Sequence, residues 1–198
     1  MTRKTFASVA LLAALAALPV SRLIAQDASS AATGTFKIDS VHSSAVYRIT
    51  HLNTSAHWGI FEEPTGTFTV GADGSFNADV TIELAKLDSG NAKRDEHLRG
   101  PDFFNAKQFP QMTFKSTEGK ASGNGAFVVK GNLTIKGTSK AIEVTFKKVG
   151  EGKGRNGEVI AGYEADFTID RLEYGVNYMP QGLGKDVRII IALEGAKQ

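Results

Sequence analysis

The four histidines are the side chains in this sequence best able to do chemistry near neutral pH. They are His42, His51, His57 and His97. Zinc is usually held by cysteine and histidine at short, regular spacings, and the chain has neither a cysteine nor an HExxH motif. We therefore expect hydrogen-bonded or solvated histidines, and no metal site.

Nucleophilic catalysis has no recognisable motif here. A serine nucleophile usually lies in a GxSxG turn or an SxxK motif, and neither occurs. Asp95, Glu96 and His97 are consecutive, and consecutive helical residues point about 100° apart, so we interpret them as surface charge. Arg94 and Asp95 have a further use, because charged hydrogen bonds from a short helix would lock it to a barrel or meet a ligand headgroup.

The elements that must position these residues are β-strands, because apolar and polar residues alternate with period two along most of the chain. The clearest segments are residues 80–84, 127–135, 142–146, 159–169 and 187–193. Weaker candidates are residues 36–39, 45–52, 66–70 and 112–117. Eight or nine antiparallel strands with one apolar face close most economically into a sandwich or an up-and-down barrel.

One break in the strand pattern predicts a short helix over residues 91–99, after the fourth strand. Charged helix formers replace strand formers there, and Gly100 and Pro101 supply the stop. Asp102 then offers a cap for a further turn, in which Phe103 and Phe104 would plug an apolar opening. The predicted fold is all-β with one short helix.

The aromatic residues leave two interpretations of the interior open. The chain has twelve phenylalanines, and four of them fall close together near the predicted helix: Phe103, Phe104, Phe109 and Phe114. An eight-stranded barrel is just wide enough to be filled by side chains or to hold one small ligand. Three small residues on the inward phase slightly favour a vacant lumen, because large side chains would fill it: Gly131, Ala161 and Ala165.

The N-terminal residues predict export. Arg3 and Lys4 precede an apolar run at residues 7–20, which is typical of a secretory signal peptide and too short to span a bilayer. We place the signal peptide at residues 1–25, with alternative cleavage sites up to residue 32. A single domain at residues 33–198 follows, and its length suits one well-buried core.

The charge and hydropathy of this domain exclude some partners. Loss of Arg3, Lys4 and Arg22 with the signal peptide reduces 23 basic residues to 20, against 21 acidic ones, so the net charge is about −1. A near-neutral chain argues against binding to nucleic acid. No second long apolar stretch follows, so we do not expect a membrane-spanning protein.

The segment LDSGNAKRDEHLRGPDFF at residues 87–104 strongly resembles the signature of the YceI-like family. The likeness continues in chain order through FKIDSVHSSAVYRITHL at 36–52, FPQMTFKST at 109–117, GNLTIKGTSKAIEVTF at 131–146 and FTIDRLEYGV at 167–176. It covers nearly all of the predicted mature domain. Gly100 and the pair Glu173-Tyr174 depart from the family pattern, and neither departure would close a tunnel.

This resemblance implies a lipocalin-like antiparallel eight-stranded β-barrel, periplasmic or secreted, that encloses a polyisoprenoid or isoprenoid-quinone-like lipid for transport or storage. It implies a carrier, not an enzyme, with the bound lipid as ligand and no other cofactor, as a monomer or homodimer. A membrane redox protein that exchanges quinone is one candidate partner. The inward strand phases and the helix would line the tunnel with Val80, Ile82, Leu98, Phe103, Phe104, Phe114, Phe127, Val129, Leu133, Val144, Phe146, Ala161, Tyr163, Phe167, Tyr178 and Ile189.

A second interpretation keeps the cavity and changes its use. A secreted enzyme would act on an apolar or quinone-like substrate in the same cavity, with His51 or His97 as acid or base. Loss of activity on replacing either histidine would support this interpretation, whereas unchanged binding without turnover favours the carrier.

Tyr174 and Tyr178 bring two hydroxyls to the expected polar end of the ligand. Such groups would favour a quinone or a phosphate over a plain hydrocarbon. We therefore expect the double replacement Tyr174→Phe, Tyr178→Phe to change selectivity among lipid headgroups, measured by competition between lipids of equal chain length. Unchanged selectivity would contradict the hypothesis.

Overall fold

The computed structural model describes residues 32–198, so the predicted signal peptide at residues 1–25 lies outside the described residues. The strands are β1 Gly34–Ile38, β2 Ser44–His51, β3 Ser55–Glu62, β4 Thr65–Val70, β5 Phe76–Glu83, β6 Leu87–Asp88, β7 Gln111–Gly123, β8 Ala126–Ile135, β9 Thr138–Lys153, β10 Val159–Asp170 and β11 Leu183–Lys197. One α-helix, α1, spans Ala92–Arg99, and single 3-10 turns occupy Leu84–Lys86 and Arg171–Tyr174. No helix in residues 32–198 is long and apolar enough to cross a membrane.

Strand β11 closes the sheet into a barrel. Its C-terminal part pairs with β1, where Phe36 lies opposite Lys197, and its N-terminal part pairs with β2, where Ser44 lies opposite Ala192. β1 and β2 are therefore two segments of one barrel strand, and the same holds for β3 with β4 and for β5 with β6. The result is an eight-stranded antiparallel barrel in which neighbours in the chain are neighbours in space, which confirms the predicted fold class.

The helix follows the sixth strand segment, not the fourth, because the alternation pattern missed β3 and β6. In β3, apolar side chains lie on both faces of the strand. Phe61 is on the face that points inward, and Trp58 and Ile60 are on the other, so the residues do not alternate clearly between apolar and polar. β6 is only two residues long. The break between β3 and β4 falls at the buried Pro64, whose ring nitrogen cannot donate to the ladder.

Helix α1 lies where the pattern predicted it, and its own side chains hold it against the barrel. The Asn91 side chain caps the helix by accepting a hydrogen bond from the Arg94 backbone N–H. Asp95 is buried and its Oδ1 accepts from the Ser89 backbone N–H at 2.8 Å, while Arg94 Nε donates to Ser89 Oγ at 2.9 Å. Burial alone raises the pKa of Asp95, but the Ser89 hydrogen bonds and the neighbouring arginines outweigh burial and lower it. Arg94 and Asp95 thus hold helix α1 to Ser89, the residue that follows β6 of the barrel.

One end of the barrel is filled by aromatic rings. The Phe76 ring centroid lies 4.9 Å from Phe127, 5.0 Å from Tyr163 and 6.0 Å from Phe68, which in turn stacks on Phe36 at 5.0 Å. Each of these five residues is at least nine-tenths buried. We call this cluster the aromatic end.

Small residues on the inner wall accommodate these rings and their neighbours. A Cβ at Gly195 would lie 2.5 Å from the Phe68 ring, and one at Gly131 would lie 2.6 Å from the Phe114 ring. Ala161 and Ala165 are buried in the core and do not border the open lumen. Of the three small residues that slightly favoured a vacant lumen in the sequence, Gly131 therefore makes room for a large aromatic side chain, and Ala161 and Ala165 belong to the packed core.

Arg171 ties the turn after β10 to the start of β11. Its guanidinium is only 4% exposed and donates to the carbonyl oxygens of Gly184 at 2.9 Å, of Leu183 at 3.0 Å and of Val176. Burial lowers the pKa of Arg171 from its ordinary value, against a smaller opposing effect of Asp170. These bonds give three backbone carbonyls a donor beside the buried guanidinium.

We expect Arg171→Met to lower the free energy of unfolding by about 3 kcal/mol, because it leaves buried carbonyls without donors. Urea denaturation followed by circular dichroism measures the loss. Arg188→Met is the control: Arg188 pairs with Asp166 on the surface, and solvent screens such pairs, so a much smaller loss is expected. Equal losses would contradict the bracing role of Arg171.

Candidate ligand cavity

The other end of the barrel is hollow. A cavity of about 450 Å³ lies between α1, the turn and loop at residues 171–182, and the inner faces of all eight barrel strands. The Phe146 ring, 5.3 Å from Phe76, stands at the junction between this cavity and the aromatic end. The wall consists mainly of aliphatic and aromatic side chains, as expected for a small-molecule site.

Twelve of the sixteen residues expected to line a tunnel border this cavity: Val80, Ile82, Leu98, Phe103, Phe104, Phe114, Leu133, Val144, Phe146, Phe167, Tyr178 and Ile189. The other four, Phe127, Val129, Ala161 and Tyr163, point inward but lie deeper in the barrel, in the solid core. Alternation along a strand identifies the inner face and carries no information on depth along the barrel axis. Whether any of the sixteen contacts a ligand stays a prediction.

The mouth of the cavity carries an aromatic cluster that joins the helix to the loop before β11. The rings of His97, Phe103 and Tyr178 lie 4.9–5.1 Å apart, centroid to centroid. His97 Nε2 lies 2.9 Å from Asp102 Oδ2, so this histidine is held at the rim. Tyr178 is 39% exposed, which places its ring between cavity and solvent. Tyr174 also borders the cavity and is buried.

Sequence reasoning missed the polar part of the wall, which comes from the β2–β3 hairpin. Tyr47 and His57 border the cavity there, next to Arg94 of the helix. Tyr47 lies on the inward phase of a segment already expected to be a strand, so the alternation of Ala45, Tyr47 and Ile49 was the available signal. His57 had no comparable signal, because β3 does not alternate cleanly.

Both of these polar groups are held uncharged by their surroundings. Burial raises the pKa of Tyr47 to about 12. Burial, with a further contribution from the positive charge of Arg94, lowers the pKa of His57. At neutral pH the cavity wall therefore presents a phenol and a neutral imidazole.

Two of the remaining histidines, His51 and His42, are exposed. His51 borders the cavity near its mouth, opposite Ser55 of β3, and is exposed. His42 lies on the far surface, with its Nδ1 2.9 Å from Asp39 and 3.7 Å from Glu194, and the Asp39 hydrogen bond raises the pKa of His42. Asp39, His42 and Glu194 are the one set of three neighbouring metal-type ligands found in residues 32–198.

Comparison with known proteins identifies relatives along nearly the whole described chain. The profile of the family described as YceI-like domain matches residues 36–195. A UPF0312 protein of Pectobacterium atrosepticum is 34% identical over 181 residues, covering 90% of this chain and 94% of the relative. The crystal structure of BcnA from Burkholderia cenocepacia shares the fold, with a TM-score of 0.71 at 22% identity over 79% of this chain and 98% of that one. A polyisoprenoid binding domain from Saccharophagus degradans, implicated in plant cell wall breakdown, has a TM-score of 0.60 at 11% identity over 84% of this chain and all of that one.

The two ends of the barrel should respond differently to the same added bulk. Val144 borders the cavity, so Val144→Phe should change the free energy of unfolding by less than about 1.5 kcal/mol, because the ring enters free space. Ala161 lies in the solid core, so Ala161→Phe should cost about 3 kcal/mol or more through overpacking. Urea denaturation of both variants measures the difference, and similar losses would contradict a hollow end.

Proposed function

The chain belongs to the YceI-like domain family, and on that premise we propose that it is an exported lipid-binding protein whose barrel encloses the chain of a polyisoprenoid or isoprenoid-quinone-like lipid. The observation that carries the proposal is the apolar cavity of about 450 Å³ at one end of the barrel. The polyisoprenoid binding domain that shares this fold supports it. Transport or storage of such a lipid outside the cytoplasm is the role that fits such a chain.

The physical basis of binding is the removal of methyl-branched hydrocarbon from water. Each buried CH₂-sized group contributes roughly 0.8 kcal/mol, so a few isoprene units in the cavity supply substantial affinity without many polar contacts. The cavity volume lies within the usual range of small-ligand pockets, which run from about 300 to 1,000 Å³. The mouth, formed by α1 and the loop containing Tyr178 and Met179, is where the rest of a long chain would leave the barrel.

The side chains around the cavity suit holding a ligand better than transforming it. Among the lining residues, His97 lies at the rim with its ring against Phe103 and Tyr178, and the neutral His57 has no carboxylate partner in residues 32–198 to orient it. Acid–base catalysis needs a group oriented toward the reacting atom and tuned to the working pH. We therefore favour a carrier over an enzyme acting in the same cavity. A quinone headgroup, a membrane redox partner and a monomeric or homodimeric state are further expectations of this proposal.

Native mass spectrometry of the protein purified from the periplasm of its own cells tests the proposal. We expect an added mass that organic extraction releases as an isoprenoid or other long-chain lipid. A bare mass, in a protein that also refuses added lipid, would contradict it. Chemical conversion of an added isoprenoid by the purified protein would support the enzyme instead.

Val144→Phe should weaken lipid binding, because the ring occupies space that the lipid would fill. Displacing two or three CH₂-sized groups costs roughly 2 kcal/mol, which is about a thirtyfold rise in Kd. Val149→Phe is the matched control: it makes the same change on a residue that is 71% exposed, and it should leave Kd unchanged. Equal effects of the two substitutions would show that the lipid binds elsewhere.

A further inference from the structure

Two buried polar atoms in the cavity wall have no hydrogen-bond partner within residues 32–198. They are Tyr47 Oη and His57 Nε2, and Tyr163 Oη is the third such side-chain atom in residues 32–198. An unpaired buried polar group lowers stability, because it loses its hydrogen bonds to water and gains none in return. Two such atoms on one wall of the same cavity therefore call for a partner that the free chain does not supply.

The backbone of β3 is shaped to hold the Tyr47 ring in its place. Tyr47 lies opposite Gly59, and a Cβ at that glycine would lie 2.4 Å from Tyr47 Cζ and Oη. The phenol therefore lies flat against β3, which only a residue without a side chain allows. Its hydroxyl lies over Gly59 and is shielded from solvent, since Tyr47 is only 9% exposed.

His57 completes the arrangement from the adjacent inward position of β3. It pairs with Ile49, two residues beyond Tyr47 on β2, so both side chains face the lumen. The ring centroids of Tyr47 and His57 lie 6.1 Å apart, and neither side chain hydrogen-bonds the other. The Phe61 ring centroid lies 5.5 Å from that of Tyr47, so Tyr47 has an apolar ring as its other neighbour on β3.

The charges around Tyr47 and His57 indicate which kind of ligand group would bind there. Tyr47 and His57 are neutral at pH 7, for the reasons of burial given above. Arg94, which borders the cavity beside them, already donates from Nε and Nη2 to Ser89, and Arg171, which also borders the cavity, donates to three backbone carbonyls. A phosphate or carboxylate would bring a net negative charge to a site whose guanidinium groups are largely committed, whereas a neutral oxygen would not.

We propose that Tyr47 and His57 form a binding site for an uncharged oxygen, a hydroxyl or a carbonyl, at the polar end of the isoprenoid. The inference rests on the proposed function and adds to it the residues and chemistry of headgroup recognition. Tyr47 donates its hydroxyl proton to the ligand oxygen. His57 Nε2 accepts from a ligand hydroxyl in one tautomer and donates to a carbonyl in the other.

Three probes of equal isoprenoid chain length test the site: farnesol, the hydrocarbon farnesene and farnesyl diphosphate. The protein is stripped of bound lipid, and Kd is measured by native mass spectrometry titration. The wild-type protein should bind farnesol more tightly than farnesene or the diphosphate. Tyr47→Phe should raise Kd for farnesol about fivefold to tenfold, the value of one neutral hydrogen bond, and leave Kd for farnesene unchanged.

Tyr163→Phe is the matched control. It removes the third unpaired hydroxyl, which lies at the aromatic end and does not border the cavity, so it should leave all three Kd values unchanged. His57→Phe is a second variant that keeps an aromatic ring and removes Nε2, and it should reproduce the effect of Tyr47→Phe on farnesol. Thermal unfolding of each variant verifies that it is folded before titration.

The outcomes separate the site from the function on which it rests. If farnesol and farnesene both bind and neither Tyr47→Phe nor His57→Phe changes their ratio, the site is overturned while the lipid-binding function stands. If the wild-type protein prefers the diphosphate, the uncharged chemistry is overturned. If none of the three probes binds, the proposed function fails, and this inference fails with it.

Discussion

The double pairing of β11 is the constraint on which the rest of the structure depends. One strand of fifteen residues pairs along one edge with β10 and along the other with β1 and then β2, and this closes the sheet. Closure removes the open edges and turns the apolar faces of eight barrel strands toward one another. Every inward residue then has to fill space, border a cavity or satisfy its polar atoms inside the barrel.

The interior meets this requirement differently at its two ends. At the aromatic end, rings from several strands stack and cross, and Gly195 makes room for the Phe68 ring. Dense packing there contributes much of the stability, so the other end can leave hydrocarbon surface facing a void. The side chains that line such a cavity lack van der Waals contacts on one side. An apolar ligand would supply those contacts, so the loose packing at this end favours lipid binding.

Polar groups show the same division between scaffold and site. Arg171, Asp95 and Ser89 are buried and satisfied, and their hydrogen bonds hold the loop before β11 and helix α1 in place around the mouth. A rigid mouth limits the loss of entropy when a ligand binds. Tyr47 Oη and His57 Nε2 are buried without partners in residues 32–198, in the wall that this mouth encloses. The protein thus keeps its unsatisfied groups where a ligand can reach them, with Tyr163 at the aromatic end as the exception.

The sequence by itself determined the class of fold, the position of the helix and the inward face of most strands, because side chains of a strand alternate and that period is written in the residue order. It also pointed to Phe103 and Phe104, which border the cavity. Only the tertiary structure decided that Phe127, Val129, Ala161 and Tyr163 lie in solid core, and that Gly59 admits the Tyr47 ring. Depth along the barrel axis and contacts between strands depend on which side chains meet across the lumen, and that is settled by barrel closure, not by the residues of any one strand.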